Sequence, residues 1–202
     1  MGSLKLNHSR CYSDEELEQM KKHVLEGSIS AQIELAALML EDAVDVEKNH
    51  AFLKEQAEKG NTLALIDLGF IYLGDVTRKE ADGREVVLIP ENEELSDACF
   101  LKAAELGSAH GMCITGVHKY LKTWIKDGKN ITDKDFIEAE KWMTLAIETF
   151  EKTESDLSPS LALLAMDCLA KLYANLNPKN PVYSEEKAVS WAKRHQEFYS
   201  KS

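Results

Sequence analysis

Proline and glycine are scarce, four and ten in 202 residues, which excludes a Pro/Gly-rich or disordered chain. β-branched runs are also few while alanine and leucine abound, a balance that favours helix. No apolar run approaches the length needed to cross a bilayer. Met1 to Arg10 holds no apolar segment of the kind that directs secretion. The chain therefore reads as cytoplasmic, with the periplasm or secretion as the alternative if a signal peptide has been removed. Gly2 follows Met1, but Leu6 stands where an N-myristoylation signal needs Ser or Thr. No lysine or arginine cluster of the kind nucleic-acid binders carry is present. Lys21-Lys22 and Lys193-Arg194 are isolated pairs that read as solvated helix faces.

Chemistry-bearing patterns are missing too. The sequence holds no G-x-S-x-G, H-E-x-x-H, phosphate-binding or dinucleotide-binding glycine pattern. Cys11, Cys99, Cys113 and Cys168 form no C-x-x-C pair and no metal-ligand spacing. Cys99 and Cys113 flank Gly107 and so fall on two helices of one hairpin, where a disulfide is geometrically conceivable. Two buried reduced thiols match the commoner use of Cys as a small apolar residue. Of the six histidines only His110 and His118 share a helix face, and two turns is too far for a common metal without other ligands. Glu15-Glu16, Glu93-Glu94 and Glu185-Glu186 sit where they complement the dipole at helix starts, which outweighs acid–base catalysis. These readings point to no enzyme, no cofactor and no metal.

What the sequence does contain is a repeated phrase. Ala57-Glu58-Lys59-Gly60, followed by Ala64, Leu68, Gly69 and Tyr72, returns as Ala103-Ala104-Glu105-Leu106-Gly107, followed by Gly111 and Gly116. Each copy is a helix ending at Gly and a second helix with small residues at fixed offsets. Ala31/Ala36, Ala64/Gly69, Gly111/Gly116 and Ala165/Ala170 share a five-residue spacing. Close packing of the helices of a short-turned hairpin accounts for the small side chains. Leu35, Leu68 and Leu169 precede the second small residue, and Thr115 takes that place in the third copy. Tyr72 and Tyr173 follow three residues after it, where Lys119 stands in the third copy, and such an aromatic is expected to pack against the next hairpin.

Capping signals set the boundaries. Ser13 with Glu16 forms a capping box, and Asp45, Asn61, Thr132, Ser158-Pro159 and Ser184 open later helices. Gly27 to Gly60 spans 33 residues, close to one two-helix repeat, whereas Gly60 to Gly107 spans 47. The excess lies in 75–92, where Glu85-Val86-Val87-Leu88-Ile89 is strand-like after the turn Ala81-Asp82-Gly83, so a loop or small β-hairpin is inserted there.

These residues resemble the Sel-one-like repeat family, relatives of the tetratricopeptide repeats. Its pattern is roughly A-x-x-W/Y-x-x-x-A-A-x-x-G-x-x-x-A-x-x-x-L-G-x-x-Y. Residues 51–74 match it best and 98–120 in part. Ala139 to Trp142 with Ala146, and Ala188 to Ala192 with Trp191, look like first helices of the same unit. Leu161, where the fourth copy should have Gly, departs from it. The resemblance implies an all-α fold, a right-handed α/α superhelix of about four hairpins. The expected organisation is a flexible N-terminus at 1–12, then one domain over 13–202 with repeats at about 13–43, 45–74, 94–125 and 132–176 and a capping helix at 184–200.

The resemblance also implies an adaptor or scaffold that holds a protein or peptide against its first helices. Candidate contact residues are the polar first-helix positions Lys54, Glu58, Lys102 and Glu105. Trp124 beside a polar loop, and Arg78, Lys79 and Arg84 on the insertion, complete the set. Trp142 and Trp191 fall at a core aromatic position. The net charge of -11 suits solubility or a basic protein partner, with no nucleic acid and no membrane insertion. An immunity protein that neutralises a basic toxin is the second reading, and a regulatory subunit of an enzyme the third.

Overall fold

A computed structural model describes residues 13–25, 46–80, 82–125, 131–152 and 156–200. Gly27, the helix expected after Ser30, the Asp45 cap, Cys11 and the loop 127–130 lie outside the described residues. Eight helices and one hairpin are present among the described residues. In order they are α1 (Asp14–Leu25), α2 (Val46–Glu58), α3 (Thr62–Ile71), β1 (Val76–Lys79), β2 (Glu85–Ile89), α4 (Glu93–Glu105), α5 (Ala109–Ile125), α6 (Asp133–Lys152), α7 (Pro159–Ala174) and α8 (Glu185–Tyr199). The chain divides into two compact units, 1–96 and 97–202, with the boundary inside α4.

In the first unit the predicted caps are in place. Ser13 and Glu16 bond reciprocally, with Glu16 N–H donating to Ser13 Oγ at 3.2 Å and Ser13 N–H to Glu16 Oε2 at 2.9 Å. Asn61 Oδ1 accepts from the amides of Leu63 and Ala64 at 3.0 and 3.2 Å. Gly60 sits at φ 85°, the left-handed stop that favours glycine. α2 packs on α3, with Leu53 fully buried and Ala64 to Gly69 buried all round. Lys21 is not on a solvated face. It is buried, pairs with Glu18 at 3.0 Å and lies 5.8 Å from the Phe52 ring centroid, because its apolar stem covers core while its ammonium keeps an acid and a ring.

The insertion is an antiparallel hairpin. Thr77 pairs with Val87, Arg78 with Val86 and Lys79 with Glu85, with an irregularity after Val76. Gly83 takes φ 84° at the turn. Val76 and Ile89 are buried at its base, and Asp75 Oδ1 closes the neck by accepting from Glu91 N–H at 2.7 Å.

The second unit stacks α5 on α6, α6 on α7 and α7 on α8, over a core that includes Phe136, Met143, Ile147, Met166 and Leu169. The five-residue pairs of small residues have two distinct jobs. A Cβ on Gly111 would lie 2.8 Å from Ala103 Cβ, so the first small residue admits the hairpin's own first helix. One on Gly116 would lie 2.6 Å from Met143 Cγ, so the second admits the next hairpin. In the first unit the Gly69 carbonyl accepts from Ser96 Oγ at 2.8 Å. Cys99, Cys113 and Cys168 are free thiols. Burial pushes Cys113 up to about 12, and its Sγ donates to Leu161 O at 3.4 Å. Arg194 stacks 4.6 Å from the Trp191 ring centroid and pairs with Glu151, so it too is more than a solvated charge.

Candidate functional site

Among the described residues each unit carries an open groove floored by a first helix. In the first unit it is lined by Glu47, His50, Ala51, Lys54, Glu55 and Glu58 of α2, with Leu88 and Ile89 of the hairpin as a wall. In the second it is lined by Ile137, Glu140, Lys141, Thr144, Leu145 and Glu148 of α6, with Tyr173 of α7 and Lys187 and Trp191 of α8. The two sets follow one spacing: first residue, then three, four, seven, eight and eleven further on. That spacing selects one helix face. The grooves are thus built from equivalent positions of two repeats, and the larger has a volume of about 630 Å3.

The second-helix tyrosines hold these stripes in place. Tyr173 Oη donates to Glu140 Oε1 at 2.6 Å, and Lys187 Nζ donates to the same oxygen at 3.1 Å. Burial and then the Glu140 carboxylate raise the Tyr173 hydroxyl above its usual range, so it stays a donor. Tyr72 and His50 share the equivalent bond at 2.9 Å. Burial, then the Lys54 ammonium, lowers His50, which leaves its ring neutral at pH 7. Both tyrosine hydroxyls therefore bond back to their own hairpin, although packing against the next was expected. The Tyr173 ring also meets the following helix, with Lys187 Nζ 4.9 Å from its centroid.

In the third copy Asp97 replaces His50 and Glu140, and Lys119 replaces the tyrosine. Asp97 Oδ1 bonds His118 Nδ1 at 2.8 Å, and Lys122 donates to Oδ2. Burial alone would raise Asp97, but these two partners bring it down to about 2.

The structure brings Lys54 and Glu58 together in the first groove. Lys102 and Glu105 are exposed on α4 and line neither groove. Arg78 pairs with Glu80 at 3.0 Å and Arg84 with Asp82 at 2.6 Å, so two of the three hairpin cations are held within the hairpin, while Lys79 is exposed. Trp124 lies near the end of α5, and its side chain is outside the described residues. Trp142 is buried as expected of a core aromatic, whereas Trp191 is half-buried and walls the second groove. Sequence reasoning missed His50, Glu140, Leu145, Tyr173 and Lys187. Extending the face of Lys54 and Glu58 by helical spacing would have found His50, and the matching offset on α6 would have found Glu140.

A solved structure, a Sel1 repeat protein from Oxalobacter formigenes, superposes on this chain with a TM-score of 0.53 at 16% identity. The match covers 91% of this chain and 64% of that one. The fold is that of the Sel1-like repeat. The present chain spans under two thirds of that Sel1 repeat protein's length. No known family profile and no curated protein sequence matches the chain. In the Sel1-like frame the two floors are first helices, and the bonded tyrosines belong to the second helices. No group of three or more metal-ligating side chains occurs among the described residues, and no helix among them is long and apolar enough to cross a membrane.

Proposed function

We propose that this chain is a protein-interaction module that holds a segment of a protein partner against the first-helix stripes of its grooves. The observation that carries this reading is the recurrence of the same six stripe positions as an open groove in both units. Exposed Ile137 and Leu145, with half-buried Trp191, offer apolar area in the second groove. Glu148, Lys141 and Lys187 around them fix orientation, the usual division between anchoring and specificity. A photo-crosslinking residue at Leu145 or Lys54 is expected to capture the same partner from lysate, and one at exposed Lys171 on α7 is expected not to. Equal capture from all three positions sinks the reading.

The net charge of -11 supports a narrower second reading, a stoichiometric blocker of a basic toxin. Under it the captured protein is basic, and its association rate falls at least tenfold between 50 and 500 mM salt, as expected of roughly order-of-magnitude electrostatic steering. A salt-independent rate rejects this second reading and leaves the first standing.

A further inference from the structure

The two grooves share their positions but not their chemistry. Ile137 and Leu145 stand on the α6 stripe where Glu47 and Glu55 stand on α2, and Lys141 stands in place of Ala51. Two apolar side chains, 48% and 36% exposed, thus replace two acids, with an ammonium group between them. The three residues are four apart, so they recur about every 6 Å along one helix face. Lys141 is exposed, and its Nζ lies 4.5 Å from the Trp142 ring centroid, a contact that holds the group without neutralising it. The other charges of the groove are engaged: Lys187 with Glu140 at 3.1 Å, and Glu148 with Lys152 at 3.2 Å. Lys141 has no carboxylate partner among the described residues. One uncompensated positive charge therefore sits in the middle of an apolar strip, in a chain of net charge -11.

That charge selects the occupant. A wholly apolar segment would strip water from the Lys141 ammonium and offer nothing in return, and a basic one would add repulsion. A carboxylate set between two apolar side chains meets all three points of the strip. The apolar groups cover Ile137 and Leu145, and the acid takes the ammonium. Glu140 opposes this little, because its carboxylate is held by the Tyr173 hydroxyl and Lys187. The space sets the occupant's conformation. The stripe from Ile137 to Glu148 is about 16 Å long, so a volume of about 630 Å3 gives a cross-section of about 40 Å2. One extended strand occupies about 50 Å2, from spacings of about 4.8 and 10 Å, whereas a helix about 10 Å across occupies about 80 Å2. In an extended segment every second side chain lies on one face, about 6.6 Å apart, close to the repeat of the strip.

We propose that the second groove binds an extended segment of a protein partner in which an Asp or Glu, flanked by apolar side chains two residues away on each side, meets Lys141. The inference rests on the groove reading above and adds the chemistry of the segment. The test is display selection of random twelve-residue peptides on the full chain, followed by affinity measurements on variants. Enriched peptides are expected to share the pattern apolar-x-acid-x-apolar. Lys141→Glu is expected to weaken them at least about tenfold, and a lysine in place of the peptide's acid is expected to restore binding to that variant. Lys171→Glu, on exposed Lys171 of α7, makes the same change in net charge outside the groove and is expected to have little effect. Peptides weakened by Leu145→Ser but indifferent to Lys141→Glu overturn this inference and leave the groove reading standing. Peptides indifferent to both variants bind elsewhere and overturn both readings. A basic consensus, acids with apolar partners four residues away as on a helix, or no enrichment at all also overturns the inference.

Discussion

Gly116 of α5 shows how a single residue sets the distance between helices. Gly116 would bring a Cβ within 2.7 Å of the Met143 backbone nitrogen. Helix propensity alone favours alanine there by about 1 kcal/mol. The clash is with backbone, which cannot rotate away, and overpacking of this kind costs about 1–3 kcal/mol. The steric effect wins, so Gly116→Ala is expected to destabilise by up to about 2 kcal/mol in urea unfolding. Gly74 is the control: a Cβ there meets nothing within 4 Å, and Gly74→Ala is expected to be neutral or slightly stabilising. A neutral Gly116→Ala means that α5 and α6 have room to part.

At the scale of elements, each groove stripe is locked by one tyrosine from the second helix. The Tyr173 hydroxyl meets a carboxylate and the Tyr72 hydroxyl meets a neutral imidazole. Hydrogen bonds to charged groups contribute about 1.5–3 kcal/mol against about 0.5–1.5 for neutral pairs. Glu140 keeps Lys187 when Tyr173 is cut back, which moves its loss to the lower end. Tyr173→Phe is therefore expected to cost about 1.5 kcal/mol and Tyr72→Phe less, measured by denaturant unfolding. The reverse order shows that Glu140 is not what holds Tyr173. Helix ends, turns and the hairpin were legible in the sequence because local chemistry sets them, as with Asn61, Ser158, Gly60 and the run from Glu85 to Ile89. The groove walls were less so. Tyr173, Lys187 and Trp191 come from different helices, and no local pattern states which helix faces which. Lys102 and Glu105 illustrate the gap, since they fit the polar first-helix rule yet line neither groove.

For the molecule as a whole, two buried or half-buried aspartates pull its stability in opposite directions with pH. Asp67 lies inside the apolar run of α3, and burial pushes it up to about 8. The folded state then holds a proton that the unfolded chain releases near pH 4, so stability falls as pH rises from about 4 to about 8. Asp97 is brought down to about 2 by His118 and Lys122 against the effect of burial. Its contribution is complete above about pH 4 and is lost as pH falls from there towards 2. The net charge of -11 adds self-repulsion at neutral pH that vanishes near the isoelectric point of about 5.1. Asp67 and the self-repulsion place the maximum on the acid side of neutrality, and Asp97 sets its lower limit. Thermal melts from pH 3 to 9 are expected to peak at about pH 4.5–6 and to decline on both sides. Asp67→Asn removes the proton that drives the alkaline decline, so its profile is expected to run flatter from pH 5 to 8 and to cross above the parent. Parallel profiles for the two proteins show instead that Asp67 is ionised in the fold and has found a counter-charge.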